Sequence, residues 1–257
     1  MDFTGKVAVV TGGANGIGRA LVEALIGAGA FVACMDTDAD TGERLAARYG
    51  DRLLFFAGDA AEEHDLKSFA GTVLKKRGGI DYLVNNACVT RRGLLSGCSF
   101  TDFTYVLRLG VAGPYYLSLL FEDAFRKNAA IVNIASSRAF QSQMDTESYT
   151  AAKGGILSLT HALAMSLHGR VRVNAICPGW IDTSAFHGEG NAPAVFSEPD
   201  RLQQPVSRVG DPIDIVEAAL FLLSEKAGFI TGTSLTVDGG MTKRMIYHGD
   251  EGWTYQV

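Results

Sequence analysis

Cysteine is scarce in this 257-residue sequence: Cys34, Cys88, Cys98 and Cys177 are the four, with no C-x-x-C spacing among them. That excludes a disulfide-framed module and a zinc-ribbon ligand set, and it fits a reducing cytoplasm. Proline is low at six residues and no G-x-y period is present, which excludes a collagen-like or Pro/Gly-rich disordered chain. Positive charge is not in excess either: 23 Lys and Arg stand against 28 Asp and Glu, a net charge of −5, so nothing steers the chain toward phosphate backbones. Lys75-Lys76-Arg77 and Arg91-Arg92 are the basic clusters, and a solvated helix end or loop accounts for both. Long apolar runs are missing too. The charge-free apolar stretch that most tempts a membrane reading, Leu109 to Phe121, contains Pro114 and falls short of the roughly 20 residues a spanning helix needs. Met1-Asp2-Phe3-Thr4 shows no basic-then-apolar leader. His161 and His168 lie on one helical stretch with neither an H-E-x-x-H pattern nor a carboxylate cluster, so no metal is expected. The expectation is a soluble cytoplasmic protein with no metal and no nucleic-acid or membrane partner.

What is present points to a folded α/β chain. Hydrophobic residues make up 47% and charged residues 20%, ample for a large core. Glycine is in excess, 30 residues or about 12% against a usual value near 7%, which implies tight turns and close backbone approaches. Short apolar runs (Lys6 to Thr11, Phe31 to Met35, Leu53 to Phe56, Tyr82 to Val84, Ala130 to Ile134, Val171 to Ile176, Ser234 to Val237) read as seven strands. Helical stretches are expected between them at 18–28, 41–49, 62–76, 101–127, 148–168 and 212–224, the last opening on Asp211-Pro212, a cap followed by proline. Such alternation predicts a single Rossmann-type domain over 1–257, a doubly wound seven-stranded parallel sheet with helices on both faces. The least regular segment, 180–209, is read as a lid over a binding site. The aromatic tail, 241–257, carries Tyr247, Trp253 and Tyr255, and it is expected to pack on a neighbouring subunit or at the substrate mouth.

Three motifs carry chemistry. Thr11-Gly12-Gly13-Ala14-Asn15-Gly16-Ile17-Gly18 follows the first strand and opens the first helix, where glycines let the backbone approach a pyrophosphate on the helix N-terminus. Asp36 closes the second strand, placed to accept from both adenosine ribose hydroxyls and to repel a 2′-phosphate, which favours NAD over NADP. Tyr149 and Lys153 stand four apart at the start of a helix, one turn from each other on the same face. A phenol is a poor base at neutral pH, and a cation one turn away stabilises its phenolate. Upstream, the strand Ile131 to Ala135 runs into Ser136 and Ser137 at the carboxyl edge of the sheet, where ligands bind in such folds.

With this spacing, T-G-x-x-x-G-x-G followed by Y-x-x-x-K, the sequence resembles the short-chain dehydrogenase/reductase family over essentially its whole length. The resemblance implies a phosphate loop of Thr11, Gly12, Gly16 and Gly18, with Asn15 and Ile17 inside it. It places Asp59 against the adenine with Ala60 beside it, and Asn86 and Ala87 near the cofactor after the fourth strand. It makes Ser136, 13 residues before Tyr149, the group that orients the substrate carbonyl. Asn174 to Thr183 matches N-x-x-x-P-G-x-x-x-T, so that Pro178 and Gly179 turn the chain under the nicotinamide while Ile181 and Thr183 bind its carboxamide. Gly232 and Val237-Asp238-Gly239-Gly240 match the closing strand and turn. The implied activity is hydride transfer between NAD(H) and a secondary alcohol or ketone, with Tyr149 as general acid/base, Lys153 beside it holding the cofactor ribose, both residues in contact with the cofactor, and a homo-oligomer, tetramer or dimer, built on the central helices.

Two positions depart from that pattern. Cys88 stands where the N-N-A-G motif has its glycine, and Gly110 stands where the family has a helix asparagine that holds a water linking the lysine to solvent. Either a water held by backbone carbonyls that Gly110 leaves uncovered preserves the relay, or proton transfer is impaired and the chain binds a dinucleotide with little or no catalysis. A sugar-nucleotide epimerase or dehydratase also uses Y-x-x-x-K, but it adds a large C-terminal substrate domain, and only 17 residues follow Gly240 here.

Overall fold

The protein is described from a computed structural model covering residues 1–188, 192, 194–247 and 249–252. Seven strands form one parallel sheet: β1 (Val7–Thr11), β2 (Phe31–Asp36), β3 (Leu53–Ala57), β4 (Ile80–Asn85), β5 (Phe125–Ile134), β6 (Val171–Pro178) and β7 (Ser234–Val237). Their order is β3-β2-β1-β4-β5-β6-β7. The chain winds outward from β1 in one direction, then returns and winds outward from β4 in the other. The crevice beyond the carboxyl ends of β1 and β4 is therefore the topological switch point.

Alternation along the strands builds a core on each face. In β1, Ala8 and Val10 point into one apolar cluster and Val7 and Val9 into the other. In β2, Val32 and Cys34 join the first, and Phe31, Ala33 and Met35 the second. Helices α1 (Gly16–Gly27), α2 (Ala39–Tyr49) and α8 (Pro212–Leu223) cover the first face with Leu21, Leu25, Leu45, Ile215 and Leu222. Helices α3 (Glu63–Arg77), α5 (Gly113–Leu120) and α6 (Glu147–Ser166) cover the second with Leu66, Phe69, Leu117 and Leu163. Both faces being covered explains why β1 reads as a continuous apolar run.

The single long helix expected over 101–127 is corrected. The segment is α4 (Phe100–Leu107), a π turn over Arg108–Ala112, α5, and a 3-10 turn at Glu122–Ala124, after which Phe125 already belongs to β5. The Gly113 N–H bonds to the Arg108 carbonyl, five residues back, so the helix widens where Gly110 sits. A Cβ on Gly113 would stand 2.4 Å from the Ala60 carbonyl oxygen, so glycine there lets this element approach the β3–α3 connection. The segment 180–209 also carries more order than its sequence suggests. Ile181 bridges Gly210, and α7 (Glu198–Leu202) opens on a Ser197–Asp200 capping box. Glu189, Gly190, Asn191 and Pro193 of the expected lid, and Trp253 and Tyr255 of the tail, lie outside the described residues. Among the described residues no helix is long and apolar enough to cross a membrane.

Candidate active site at the sheet's carboxyl edge

The glycine loop packs directly on the turn that follows β4. Gly12 and Gly16 take positive φ (66° and 57°). A Cβ on Gly18 would lie 1.8 Å from the Gly12 carbonyl oxygen, a contact only glycine avoids. The Thr11 hydroxyl accepts from the backbone N–H groups of Asn86 and Ala87, both at 3.1 Å. The Asn86 side-chain amide donates to the carbonyls of Thr11 (3.1 Å) and Gly12 (3.0 Å). These bonds fix a bare-backbone cradle at the N-terminus of α1, with Ile17 packed on the core beneath it. A dinucleotide pyrophosphate fits such a cradle, since an added side chain would fill it and the helix end favours an anion.

Around the cradle the acidic residues are anchored. Asp36, at the end of β2, accepts from the N–H groups of Ala14 and Asp38, each at 3.0 Å, which aims its carboxylate along the loop. Asn15 donates to Asp38 at 2.9 Å, and this bond is the leading cause that holds Asp38 below the usual carboxylate range. Asp59 caps Ala61 (2.8 Å) and accepts from the Tyr105 hydroxyl (2.9 Å), next to the buried Ala60. Burial, followed by that bond to Asp59, pushes the Tyr105 phenol up. The Tyr105 contribution was invisible in sequence because α4 lies more than 40 residues from Asp59.

Across the switch point, β5 delivers Ser136, which is 7% exposed and accepts from the Arg138 N–H at 3.1 Å. Tyr149 stands in the first turn of α6. Lys153, one turn on and 4% exposed, donates from Nζ to the Ile134 carbonyl at 2.7 Å. Its Nζ lies 5.3 Å from the Tyr149 ring centroid. A buried ammonium is costly unless held, and this bond ties it to the end of β5. Ser136, Tyr149, Gly179 and Ile181 line one cavity of about 1080 Å³, over which Trp180 and Phe196 stack edge-on at 5.4 Å.

Pro178 ends β6 and Gly179 turns away from it; a Cβ there would stand 2.7 Å from Asp238, so β6 and β7 converge only because the residue is glycine. Cys177, just before, is a buried thiol pushed up to about 11 by desolvation. The chain then doubles back: Thr183 meets His187 at 3.1 Å (Oγ1 to Nε2), and the Thr183 Cβ lies 3.6 Å from where a Cβ on Gly16 would stand. The Gly188 carbonyl accepts from Arg19 at 2.7 Å, and its N–H donates to Asn15 at 3.4 Å. The 183–188 segment is thus drawn onto the glycine loop.

The two departures from the family pattern meet. A Cβ on Gly110 would lie 3.0 Å from the Ala152 Cβ and 3.4 Å from Cys88 Sγ. The structure also shows what sequence reasoning missed. Arg92, read as a solvated loop residue, lines the cavity with Arg138 and Arg244, and Arg91 lies over the Tyr105 ring at 5.5 Å. Arg138 follows the strand serines by one residue, and that adjacency was the available signal. Among the described residues no group of three His, Cys, Asp or Glu side chains is placed to hold a metal.

Comparison with known proteins agrees with this architecture. Residues 12–242 match the family model described as enoyl-(acyl carrier protein) reductase. An uncharacterized oxidoreductase of Thermotoga maritima is 41% identical over 251 residues, covering 95% of this chain and 98% of that protein. An apo SCOR enzyme from Clostridium thermocellum superposes with a TM-score of 0.91 at 42% identity, covering 99% and 100% of the two chains. A blue fluorescent protein from a metagenomic library, in complex with NADPH, has a TM-score of 0.84 at 28% identity and coverage of 94% and 99%. A 3-ketoacyl-(acyl-carrier-protein) reductase from Brucella melitensis, complexed with NADH, has 0.83 at 31% identity and coverage of 94% and 100%. The cradle at the switch point and the Ser136, Tyr149 and Lys153 arrangement accord with these matches: the chain belongs to the short-chain dehydrogenase/reductase family, oxidoreductases dependent on a nicotinamide dinucleotide.

Proposed function

We propose that the chain is an NAD(H)-dependent oxidoreductase that interconverts a secondary alcohol and its ketone. The observation that carries the reading is that Ser136 and Tyr149 open into one cavity, with Lys153 held behind the tyrosine and the glycine cradle alongside. A nicotinamide bound at the cradle would supply the hydride acceptor for the alcohol and the hydride donor for the ketone. In the oxidation direction Tyr149 removes the hydroxyl proton, and in reduction it gives the proton back. Ser136 donates a hydrogen bond to the same oxygen and stabilises the charge that develops there. The Lys153 ammonium stands one helical turn behind the phenol, 5.3 Å from its ring centroid. Ile181 and Thr183, with Pro178 and Gly179 turning the chain beneath, would hold the carboxamide, and the 180–209 segment would serve as the substrate lid.

NAD is preferred because Asp36 stands at the end of β2, fixed by two backbone donors, where it would accept from the ribose hydroxyls and repel a 2′-phosphate. Asp59 and Ala60 would border the adenine, and Asn86 and Ala87 the ribose side. Exposed Phe100, Tyr115, Leu119 and Met165 on α4, α5 and α6 support a homo-oligomer through these helices. Four free cysteines suit a reducing cytoplasm. The test is fluorescence titration with NADH and NADPH, followed by a ketone and polyol panel. Tighter NADPH binding contradicts the cofactor assignment, and bound NADH without turnover on any substrate contradicts the activity.

A further inference from the structure

The cavity beside Ser136 and Tyr149 gathers arginines in a chain whose net charge is −5. Among the described residues Arg92, Arg138 and Arg244 line it, against one carboxylate, Asp145. That carboxylate is already engaged by the Ser96 N–H at 2.9 Å and by the Ser96 hydroxyl. Neither Arg92 nor Arg138 forms an ion pair among the described residues: Arg138 donates to the neutral side chain of Gln143, and the guanidinium of Arg92 makes no hydrogen bond. The Arg244 guanidinium donates to the Leu202 carbonyl. The rest of the lining is rich in hydrogen-bonding groups, among them Gln141, Ser142, Thr146 and Gln203. A cavity built to take a plain hydrocarbon ketone would present neither the guanidinium groups nor this density of hydroxyls and amides.

We propose that the substrate of this site is a small hydroxylated acid anion, its acidic group held by Arg92 and Arg138 while the hydroxyl to be oxidised reaches Ser136 and Tyr149. Guanidinium presents a planar fork that matches a carboxylate or a phosphate ester equally, so both sources share the chemistry. The inference rests on the oxidoreductase reading above and adds the substrate class. Arg138 sits two residues beyond Ser136 on the same chain segment, which couples the anion's position to that of the reacting oxygen.

The test uses the full chain saturated with NADH and three probes on one carbon skeleton: sorbitol, gluconate and sorbitol 6-phosphate. Binding of each to the binary complex is read from the NADH fluorescence, for the wild type, Arg92→Gln and Arg138→Gln. At least one anion is expected to bind roughly 10- to 100-fold tighter than sorbitol, since a hydrogen bond to a charged group has about that effect. Each substitution is expected to weaken that anion at least about tenfold more than it weakens sorbitol. Which anion gains separates the carboxylate from the phosphate source. NADH binding by the variants shows that they are folded. Sorbitol binding as tightly as both anions, no anion binding, or equal weakening of all three probes in the variants overturns the proposal. Failure of NADH itself to bind the wild type removes the oxidoreductase reading and this inference with it.

Discussion

Cys88 Sγ lies 3.4 Å from the point where a Cβ on Gly110 would stand, so the two positions at which this chain departs from its family's pattern are neighbours in space. The thiol and the missing side chain share one volume beside Ala152, the residue before Lys153. Gly110 is also the buried centre of the π turn between α4 and α5. Widened turns of this kind occur often at functional sites. The pair acts as one compensated substitution: cysteine brings volume at 88 and glycine removes it at 110.

That relationship predicts a coupled response. Gly110→Asn alone forces its side chain against Cys88 and Ala152 and should destabilise the protein by about 1–3 kcal/mol, the usual range for overpacking a core. Adding Cys88→Gly should recover a large part of the loss, with a coupling energy of about 0.5–3 kcal/mol by denaturant unfolding of the two single variants and the double variant. Strict additivity would show that the two positions are independent.

The cofactor cradle predicts a sharp loss from a small change. Gly18→Ala places a methyl 1.8 Å from the Gly12 carbonyl oxygen, so the loop has to move. NADH affinity should fall by at least about 100-fold, well beyond the roughly 1 kcal/mol a glycine-to-alanine change carries through backbone entropy, and in the opposite direction. By contrast, Asp36→Ser should leave the loop in place and raise NADPH affinity relative to NADH by about tenfold or more, checked by fluorescence titration.

Acid should loosen the junctions around the site. Asp38 is held low first by its bond from Asn15, and Asp214 first by its bond from Arg208. For Asp238 burial pushes upward, and the donors Thr242 and Gly240 outweigh it, leaving the group lowered. Each folded value lies below the ordinary 3.8, so the unfolded chain binds the protons first. The stability these carboxylates contribute is fully present above that ordinary value and is lost as pH falls through the folded values beneath it. Denaturant midpoints should therefore be insensitive to these groups near neutrality and decline in strong acid, and Asp214→Asn should flatten that decline.

Thiol reactivity separates the cysteines. Cys34 and Cys177 are buried, and desolvation pushes their thiols up to about 12 and about 11. A water-soluble disulfide reagent should leave both untouched in the folded protein and react with them only on unfolding. Cys88 and Cys98 are half-buried and should react first, with Cys88 slowed by bound NADH. Labelling of all four at one rate would contradict the packing around β2 and β6.

The fold was legible because its signals are local and repeated. The continuous apolar run of β1, the glycines after it and Asp36 at the end of β2 each follow from neighbours in sequence. The same holds for Tyr149 and Lys153, whose spacing on α6 is a helical turn. What was not legible depends on distant chain segments. The break of the 101–127 stretch turns on Gly110 and Gly113 approaching Ala152 and Ala60. The cap on Asp59 by Tyr105, and the return of Thr183 and His187 over Gly16, join residues that no spacing rule connects. Arg92 looked like a solvated loop residue because nothing nearby in sequence marks it as lining the cavity that Ser136 also lines.

Proton transfer through Tyr149 in a nicotinamide-dependent reaction is the step on which the proposed function turns. The most direct measurement compares wild type and Tyr149→Phe for NADH binding and for NAD+ reduction with a substrate alcohol. The variant should bind NADH as the wild type does and turn over about 100- to 10,000-fold more slowly, the usual contribution of a positioned acid/base. A variant that turns over at the wild-type rate would contradict this role for Tyr149.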